Sequence, residues 1–223
     1  MRAAHYCRSC GKVQPAAPVD YFLFFGLPRK LNLDVAALER DFYALSRKLH
    51  PDLFAQGEAE QRKWSLEKSS RLNDAYRTLK DPVARTEYLL RLQGVDFDEQ
   101  SSQATEAART SGQAKKQVVP PDMLEEVFEL NMQLEELRMN QRMGEQDPDL
   151  IGQLEEQKKS LQQKLATVDQ ELRSGWSAWD ALVDAGQESS DAGKSEISHL
   201  VDALNRRSYV RNLVRDVNEA LES

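Results

Sequence analysis

The amino-acid sequence predicts an all-α protein, and three observations lead to this prediction. Charged residues make up 30% of the chain and aromatic residues only 7%, and its 223 residues include only 10 glycines and 8 prolines, a balance that favours helices over a sandwich or barrel. Apolar residues recur at helical steps along most of the chain. Most glycines and prolines lie between these periodic segments. We therefore expect four helices followed by a three-helix bundle.

Two helices are expected between residues 20 and 50. A short apolar segment at 21–25 is followed by Gly26-Leu27-Pro28, and proline interrupts helical hydrogen bonding. Asp34 is a suitable N-cap for a second helix. The apolar face of this helix consists of Leu38, Phe42, Leu45 and Leu49. It should end near Leu49, because Pro51 disfavours helical geometry at the residue before it.

Residues 58–95 predict two further helices, which complete a first domain over 20–95. A long helix from about Glu58 to Leu79 can pair antiparallel with the second helix. Asp81-Pro82 supplies an N-cap followed by proline at the first helical position, and Gly94 ends this short helix. The polar residues 96–119 lack a clear apolar stripe and are predicted to be a linker.

Residues 120–223 predict a second domain, a three-helix bundle. A helix beginning at Pro120-Pro121-Asp122 carries more apolar residues than one narrow seam requires, so part of its surface should be exposed. After Asp147-Pro148 a long helix follows, and the stretch 186–193 separates it from a last helix. The near-heptad leucines over 150–172 also suit a homodimeric coiled coil, but three successive helical segments favour an intramolecular bundle.

Charge is distributed unevenly over the two predicted domains. The net charge is −7 for the whole chain, +2 for residues 20–95 and −11 for residues 120–223. A general nucleic-acid binder needs basic surface to neutralise phosphates, so we expect no nucleic-acid partner. The asymmetry favours an acidic partner for the first domain, with a chance distribution as the simpler alternative.

The sequence lacks membrane and disulfide signals. No segment approaches the ~18 apolar residues of a membrane span, and the start MRAAHYC lacks the apolar core of a signal peptide. Cys7 and Cys10 are the only cysteines, which excludes a disulfide framework. We therefore expect no membrane partner, a monomer or weak dimer, and a location in the cytoplasm of a bacterium.

A polar loop between the second and third helices carries the first candidate functional residues. His50, Pro51 and Asp52, here called the HPD loop, combine a ring nitrogen, a residue that fixes the turn and a carboxylate that can pair with a cation. The preceding helix has a basic stripe opposite its apolar face, which consists of Arg40, Tyr43, Arg47 and Lys48. A helix-capping histidine and a merely solvated helix face are the simpler alternatives.

In this setting residues 20–95 resemble the J domain of HscB-type co-chaperones. The resemblance rests on the motifs YFLFFGL (21–27), HPD (50–52), LNDAYRTLKDP (72–82) and RTEYLL (85–90), in that order. It implies that the HPD loop and the basic stripe dock on an acidic surface of an ATP-bound DnaK/HscA-type chaperone and stimulate its ATP hydrolysis. Charge complementarity of this kind gives orientation and association rate more than tight affinity.

The helical second domain also resembles HscB proteins, because general J proteins often continue into Gly/Phe-rich and β-rich regions. In HscB proteins such a bundle binds an iron-sulfur scaffold protein of the IscU type through an exposed apolar patch. Carried over to this sequence, the client patch consists of Met123, Leu124, Phe128 and Tyr209. Tyr209 lies outside the apolar stripe through Val210, which favours a surface position. Ordinary bundle core is the alternative for all four residues.

Cys7 and Cys10 form a Cys-x-x-Cys knuckle that resembles half of a zinc site. A closed structural site needs four ligands, and only His5 is an obvious third. Some HscB relatives carry two such pairs before the J domain, whereas this chain carries one. Zinc shared between two chains, an iron-sulfur ligand role, a redox pair and a degenerate remnant all remain open. The expected function itself requires no cofactor.

No sequence motif indicates an active site, since there is no P-loop and no Gly-rich nucleotide motif. The three histidines, His5, His50 and His199, have no catalytic spacing. We therefore expect a co-chaperone that is not an enzyme. Two alternatives are a general J-domain cofactor that delivers unfolded clients and a structural helical protein that dimerises through residues 150–172.

Overall fold

The computed structural model describes residues 5–7, 12–15, 18–95, 123–145 and 147–222, and in these ranges the fold is all-α. The predicted fold class is confirmed. The helices are α1 (Tyr21–Phe25), α2 (Val35–Leu49), a 3₁₀ turn (Pro51–Phe54), α3 (Ala59–Lys80), α4 (Pro82–Leu92), α5 (Leu124–Met143), α6 (Pro148–Asp184) and α7 (Asp191–Glu222). The predicted linker 96–119 and helix start at 120–122 lie outside the described residues. None of the described helices is long and apolar enough to cross a membrane.

Local capping explains where α1, α2 and α4 begin and where α1 ends. The carboxylates of Asp20, Asp34 and Asp81 accept hydrogen bonds from the backbone N–H three residues further on, at 2.8, 2.9 and 2.7 Å. Each bond satisfies a donor that has no partner inside its own helix. Gly26 has a φ of 70°, a left-handed conformation that glycine adopts at little cost, and it ends α1.

The chain divides into two compact units, and the division runs through both α6 and α7. The first unit comprises Met1–Asp96 with Trp176–Lys194, and the second comprises Phe97–Gly175 with Ser195–Ser223. The sequence predicted a single bundle over 120–223, so the assignment of 176–194 differs. Hydrogen bonds from Trp179 and Asp180 to residues far away in sequence explain why 176–194 belongs to the first unit. Trp179 donates its indole N–H to the carbonyl of Arg29 at 2.9 Å, and the carboxylate of Asp180 accepts the N–H groups of Leu31 and Asn32 at 2.6 and 2.9 Å.

Helix α3 is the central helix of the first unit, since it contacts α1, α2 and α4. Fully buried apolar side chains come from each part of this unit, and they include Phe22, Leu31, Leu49, Leu72, Leu79, Leu89 and Leu90. Burial of one such side chain stabilises a fold by ~1.5–3 kcal/mol. The predicted apolar face of α2 is turned inward: Leu38 and Leu49 are buried, and the ring of Phe42 stacks on Tyr76 of α3 with centroids 4.2 Å apart.

The second unit is a bundle of α5 with the assigned parts of α6 and α7. Its core combines side chains of all three helices, namely Met123, Val127, Leu130, Leu134, Leu137, Leu150, Leu154, Leu161, Tyr209, Val210, Leu213, Val217 and Ala220. The near-heptad leucines 150, 154 and 161 are thus buried within one chain, which leaves little apolar surface there for a homodimeric coiled coil. Arg206 and Arg207 of α7 pair with Glu171 and Asp169 of α6, each at 2.6 Å.

Candidate functional site

The HPD loop lies at an exposed corner between α2 and α3. His50 follows the last residue of α2 with φ −58° and ψ 129°, and Pro51 begins the 3₁₀ turn. The side chains of His50 and Asp52 are 55% and 88% exposed. His50 Nδ1 accepts a hydrogen bond from the Asp52 N–H at 3.3 Å. A neutral ring that accepts at Nδ1 carries its proton on Nε2, which can then donate to a partner.

The basic stripe on α2 leads to this loop. Arg40, Tyr43, Arg47 and Lys48 are all exposed. Arg47 and Lys48 lie in the last turn of α2, where positive charge also interacts favourably with the carbonyl end of the helix. Arg40 and Arg47 are seven residues apart, two helical turns, so they share one side of α2. The predicted chaperone-binding residues therefore lie along the exposed side of α2 and in the loop that follows it.

The predicted client patch is divided between the surface and the core of the second unit. Leu124 and Phe128 are 56% and 68% exposed on α5, whereas Met123 and Tyr209 are only 5% and 7% exposed. The surface position predicted for Tyr209 is therefore wrong, and Met123 is core as well. Helix α7 buries a broad face that includes Tyr209 beside Val210, because it packs in a core shared with both α5 and α6. Burial also raises the pKa of the Tyr209 hydroxyl.

Three exposed methionines on α5 were missed by the sequence analysis. Met132, Met139 and Met143 are all largely exposed. They follow Phe128 at steps of four, seven and four residues, which keeps them on the same side of the helix as Leu124. We call the five residues Leu124, Phe128, Met132, Met139 and Met143 the outer α5 face. Their spacing was visible in the sequence, but a second apolar stripe on one helix gives no sign of which stripe is buried.

The N-terminal segment forms a hairpin. Tyr6 and Val13 make an isolated antiparallel bridge. The N–H of Cys7 donates to the carbonyl of Lys12 at 2.8 Å, and the N–H of Gln14 donates to the carbonyl of His5 at 3.0 Å.

The hairpin is held on the first unit through His5. The Nε2 atom of its ring lies 3.0 Å from the carbonyl oxygen of Phe24, and burial lowers the pKa of the imidazole. The ammonium of Lys68 on α3 donates to the carbonyl of His5 at 2.9 Å, and burial lowers its pKa to about 8. The third metal ligand that the sequence suggested is therefore engaged with the protein at Nε2.

Zinc binding by Cys7 and Cys10 stays a prediction. Cys7 is half-buried, and Cys10 lies outside the described residues. Among the residues that the structure describes, no group of three His, Cys, Asp or Glu side chains is placed to hold a metal ion. A zinc ion at this knuckle would therefore need ligands from outside the described ranges or from a second chain.

Comparison with known proteins identifies the family. No protein-family model matches the chain. A co-chaperone HscB homologue of Azoarcus sp. (strain BH72) is 30% identical over 204 residues, which cover 92% of this chain and 94% of that protein. The chain belongs to the HscB co-chaperone family. The predicted resemblance is thereby confirmed, and the HscB relatives are named co-chaperones rather than enzymes.

Other HscB proteins match shorter parts of the chain. An HscB homologue of Vibrio cholerae is 44% identical over 80 residues, and the match covers 36% of this chain and 47% of that protein. The mouse iron-sulfur cluster co-chaperone HscB is 38% identical over 95 residues, with 42% and 41% covered. The chain thus spans less than half the length of these two relatives. The crystal structure of human HscB shares the fold, with a TM-score of 0.59 at 21% identity over 98% of this chain and 91% of that one.

Proposed function

We propose that this HscB-family chain stimulates ATP hydrolysis by a DnaK/HscA-type chaperone and delivers an IscU-type iron-sulfur scaffold protein to it. The observation that carries the first half is the exposed HPD loop at the end of a basic helix. The adjoining basic stripe places positive charge beside the loop, and this charge would attract an acidic partner. Charges of this kind accelerate and orient association more than they tighten it, which suits a partner that must be released in each cycle.

Each residue of the HPD loop has a distinct task in this proposal. The Nε2–H of His50 donates to the chaperone, and the carboxylate of Asp52 accepts from one of its cations. Pro51 fixes its own φ and restricts the backbone of His50, so little conformational entropy is lost when the loop binds. The 3.3 Å hydrogen bond from the Asp52 N–H to the His50 ring orients that ring before the partner arrives.

The outer α5 face supports the second half of the proposal. Leu124 and Phe128 expose apolar surface to water, which is unfavourable. Contiguous exposed apolar patches commonly mark interaction sites. Binding there would bury the aromatic ring of Phe128 in the client, as central interface residues do. Met123 and Tyr209 contribute only indirectly, as core residues that hold α5 and α7 in place.

One alternative differs only in the client. A general J-domain cofactor would have the same HPD loop and the same effect on a chaperone ATPase, but it would deliver unfolded polypeptides. Binding of a folded scaffold protein by the intact chain favours the HscB-type function, whereas binding of unfolded peptides alone favours the alternative. The cytoplasm of a bacterium is the proposed location.

The central experiment is single-turnover ATP hydrolysis by a DnaK/HscA-type chaperone with and without the purified chain. We expect stimulation by the wild type and none by His50→Gln, because glutamine lacks the ring that the Asp52 N–H orients. His199→Gln, at an exposed histidine of the second unit, is the matched control and should stimulate normally. Helical circular dichroism should be the same for all three proteins. Equal stimulation by His50→Gln would remove the HPD loop from the mechanism.

A further inference from the structure

The carbonyl oxygen of Leu49 accepts two side-chain hydrogen bonds. Leu49 is the last residue of α2, directly before the HPD loop, and is fully buried. The hydroxyl of Ser65 donates to this oxygen at 2.7 Å and the hydroxyl of Ser69 at 2.9 Å. Both serines belong to α3, four residues apart, so they lie on one side of it. Ser65 is fully buried and Ser69 is half-buried.

The backbone geometry of the loop explains why this carbonyl needs side-chain donors. In a continuous helix the N–H of Leu53 would bond to Leu49, but it donates to the carbonyl of His50 at 3.0 Å instead. The cause is Pro51, which moves His50 out of helical geometry and itself has no N–H to donate. A buried carbonyl without a donor is unfavourable, and the two hydroxyls satisfy it.

We propose that Ser65 and Ser69 are positioning residues that fix the HPD loop for chaperone activation, which rests on the proposed function of that loop. The peptide group that carries the Leu49 carbonyl ends at the nitrogen of His50. Two hydrogen bonds to that oxygen therefore fix the orientation of the peptide plane between Leu49 and His50. This orientation sets the direction in which the backbone continues from α2 into the HPD loop. Because both donors lie on α3, the direction of the loop is set by the pairing of α2 with α3 and not by α2 alone.

A purely structural role makes a different prediction. Hydroxyls that only satisfy the Leu49 carbonyl would lower stability when removed but leave the folded fraction fully active. Positioning residues would lower the maximum stimulation of the chaperone while leaving docking nearly intact, because the exposed Arg47 and Lys48 remain on α2. The half-saturating concentration and the maximum stimulation therefore separate the two roles.

The test uses the full chain with Ser65→Ala, Ser69→Ala and the double substitution in the single-turnover ATPase assay with a DnaK-type chaperone. Below its melting temperature the double variant should reach only about one tenth of the wild-type maximum stimulation. Its half-saturating concentration should stay within about twofold of the wild-type value. Ser69→Thr retains a hydroxyl and should retain activity. Ser70→Ala changes the exposed neighbour and is the matched control.

Amide hydrogen exchange tests the positioning without any chaperone. The Asp52 and Leu53 amides, which both bond to His50, should exchange faster in the double variant than in Ser70→Ala. Wild-type stimulation or unchanged exchange in the double variant would overturn the proposal. If the double variant does not fold, equal maxima for Ser69→Ala and Ser69→Thr would overturn it. Absence of stimulation by the wild type would contradict the proposed function instead, and exchange would still decide whether the serines fix the loop.

Discussion

Substitution of Phe128 by alanine should weaken client binding and leave the fold almost unchanged. The residue is 68% exposed, so about a third of it is buried, and truncation should cost about a third of the ~3 kcal/mol that full burial of a phenylalanine contributes. In a complex with the scaffold protein the same ring would become buried. We expect a loss of at least ~1.4 kcal/mol in binding, which is a tenfold rise in Kd.

Tyr209→Ala should have the opposite effect. This side chain is 7% exposed in the core of the second unit, and removal of a buried aromatic ring typically costs ~3–5 kcal/mol through lost burial and a cavity. For a protein of this size the melting temperature should fall by ~6–20 °C. The remaining folded protein should still bind the scaffold, because the outer α5 face is unchanged.

Two measurements on the purified chain test this pair of expectations. Titration calorimetry with an IscU-type scaffold gives the Kd, and thermal melts followed by circular dichroism give the stability. Tyr43→Ala, which removes an exposed aromatic side chain from α2, is a control that should leave the Kd unchanged. An unchanged Kd for folded Phe128→Ala would refute the assignment of the client site to α5. A weakened Kd for Tyr209→Ala without a lower melting temperature would refute its placement in the core.

Three further predictions concern the first unit. Reversal of Arg47 and Lys48 to Glu should raise the half-saturating concentration in the ATPase assay, and wild-type coupling should weaken as salt rises; insensitivity to both would place the docking surface elsewhere. The pKa of Lys68 is lowered from 10.5 to about 8, so the unfolded chain binds more protons between these values and stability should increase with pH across that window. The urea concentration at half-unfolding should rise with pH in the exposed-site control Lys63→Met. It should not rise over this window in Lys68→Met. Asp180→Ala leaves two backbone N–H groups without their acceptor and should cost ~1–3 kcal/mol in thermal melts; no change would mean that the 2.6 and 2.9 Å bonds contribute nothing.

The parts of the fold that the sequence predicted well depend on local signals. Asp34 and Asp81 cap the helices that begin just after them. The ring of Pro51 prevents α2 from continuing past Leu49. The placement of the candidate chaperone-binding residues also follows from local signals, because they are consecutive or share one helix face; their role in binding stays a prediction. Short-range rules were therefore sufficient to predict this placement.

The parts that the sequence did not predict depend on contacts between distant residues. The Asp180 carboxylate accepts the N–H of Leu31 across 149 positions of sequence, and no periodicity encodes such a pair. The hydroxyls that reach Leu49 lie 16 and 20 positions away. Tyr209 was misplaced for a related reason: a helix that packs against two neighbours buries a wider face than a single stripe suggests.

The composition of the outer α5 face has a chemical consequence. Met132, Met139 and Met143 are three of the five methionines of the chain, and their thioethers are accessible to peroxide, whereas Met123 is buried. Oxidation converts a flexible apolar side chain into a polar sulfoxide, and methionine sulfoxide reductases reverse the change. Oxidant exposure should therefore reach this surface before the core beneath it. If the proposed client binds there, its affinity for this surface would change reversibly with the redox state of the surroundings.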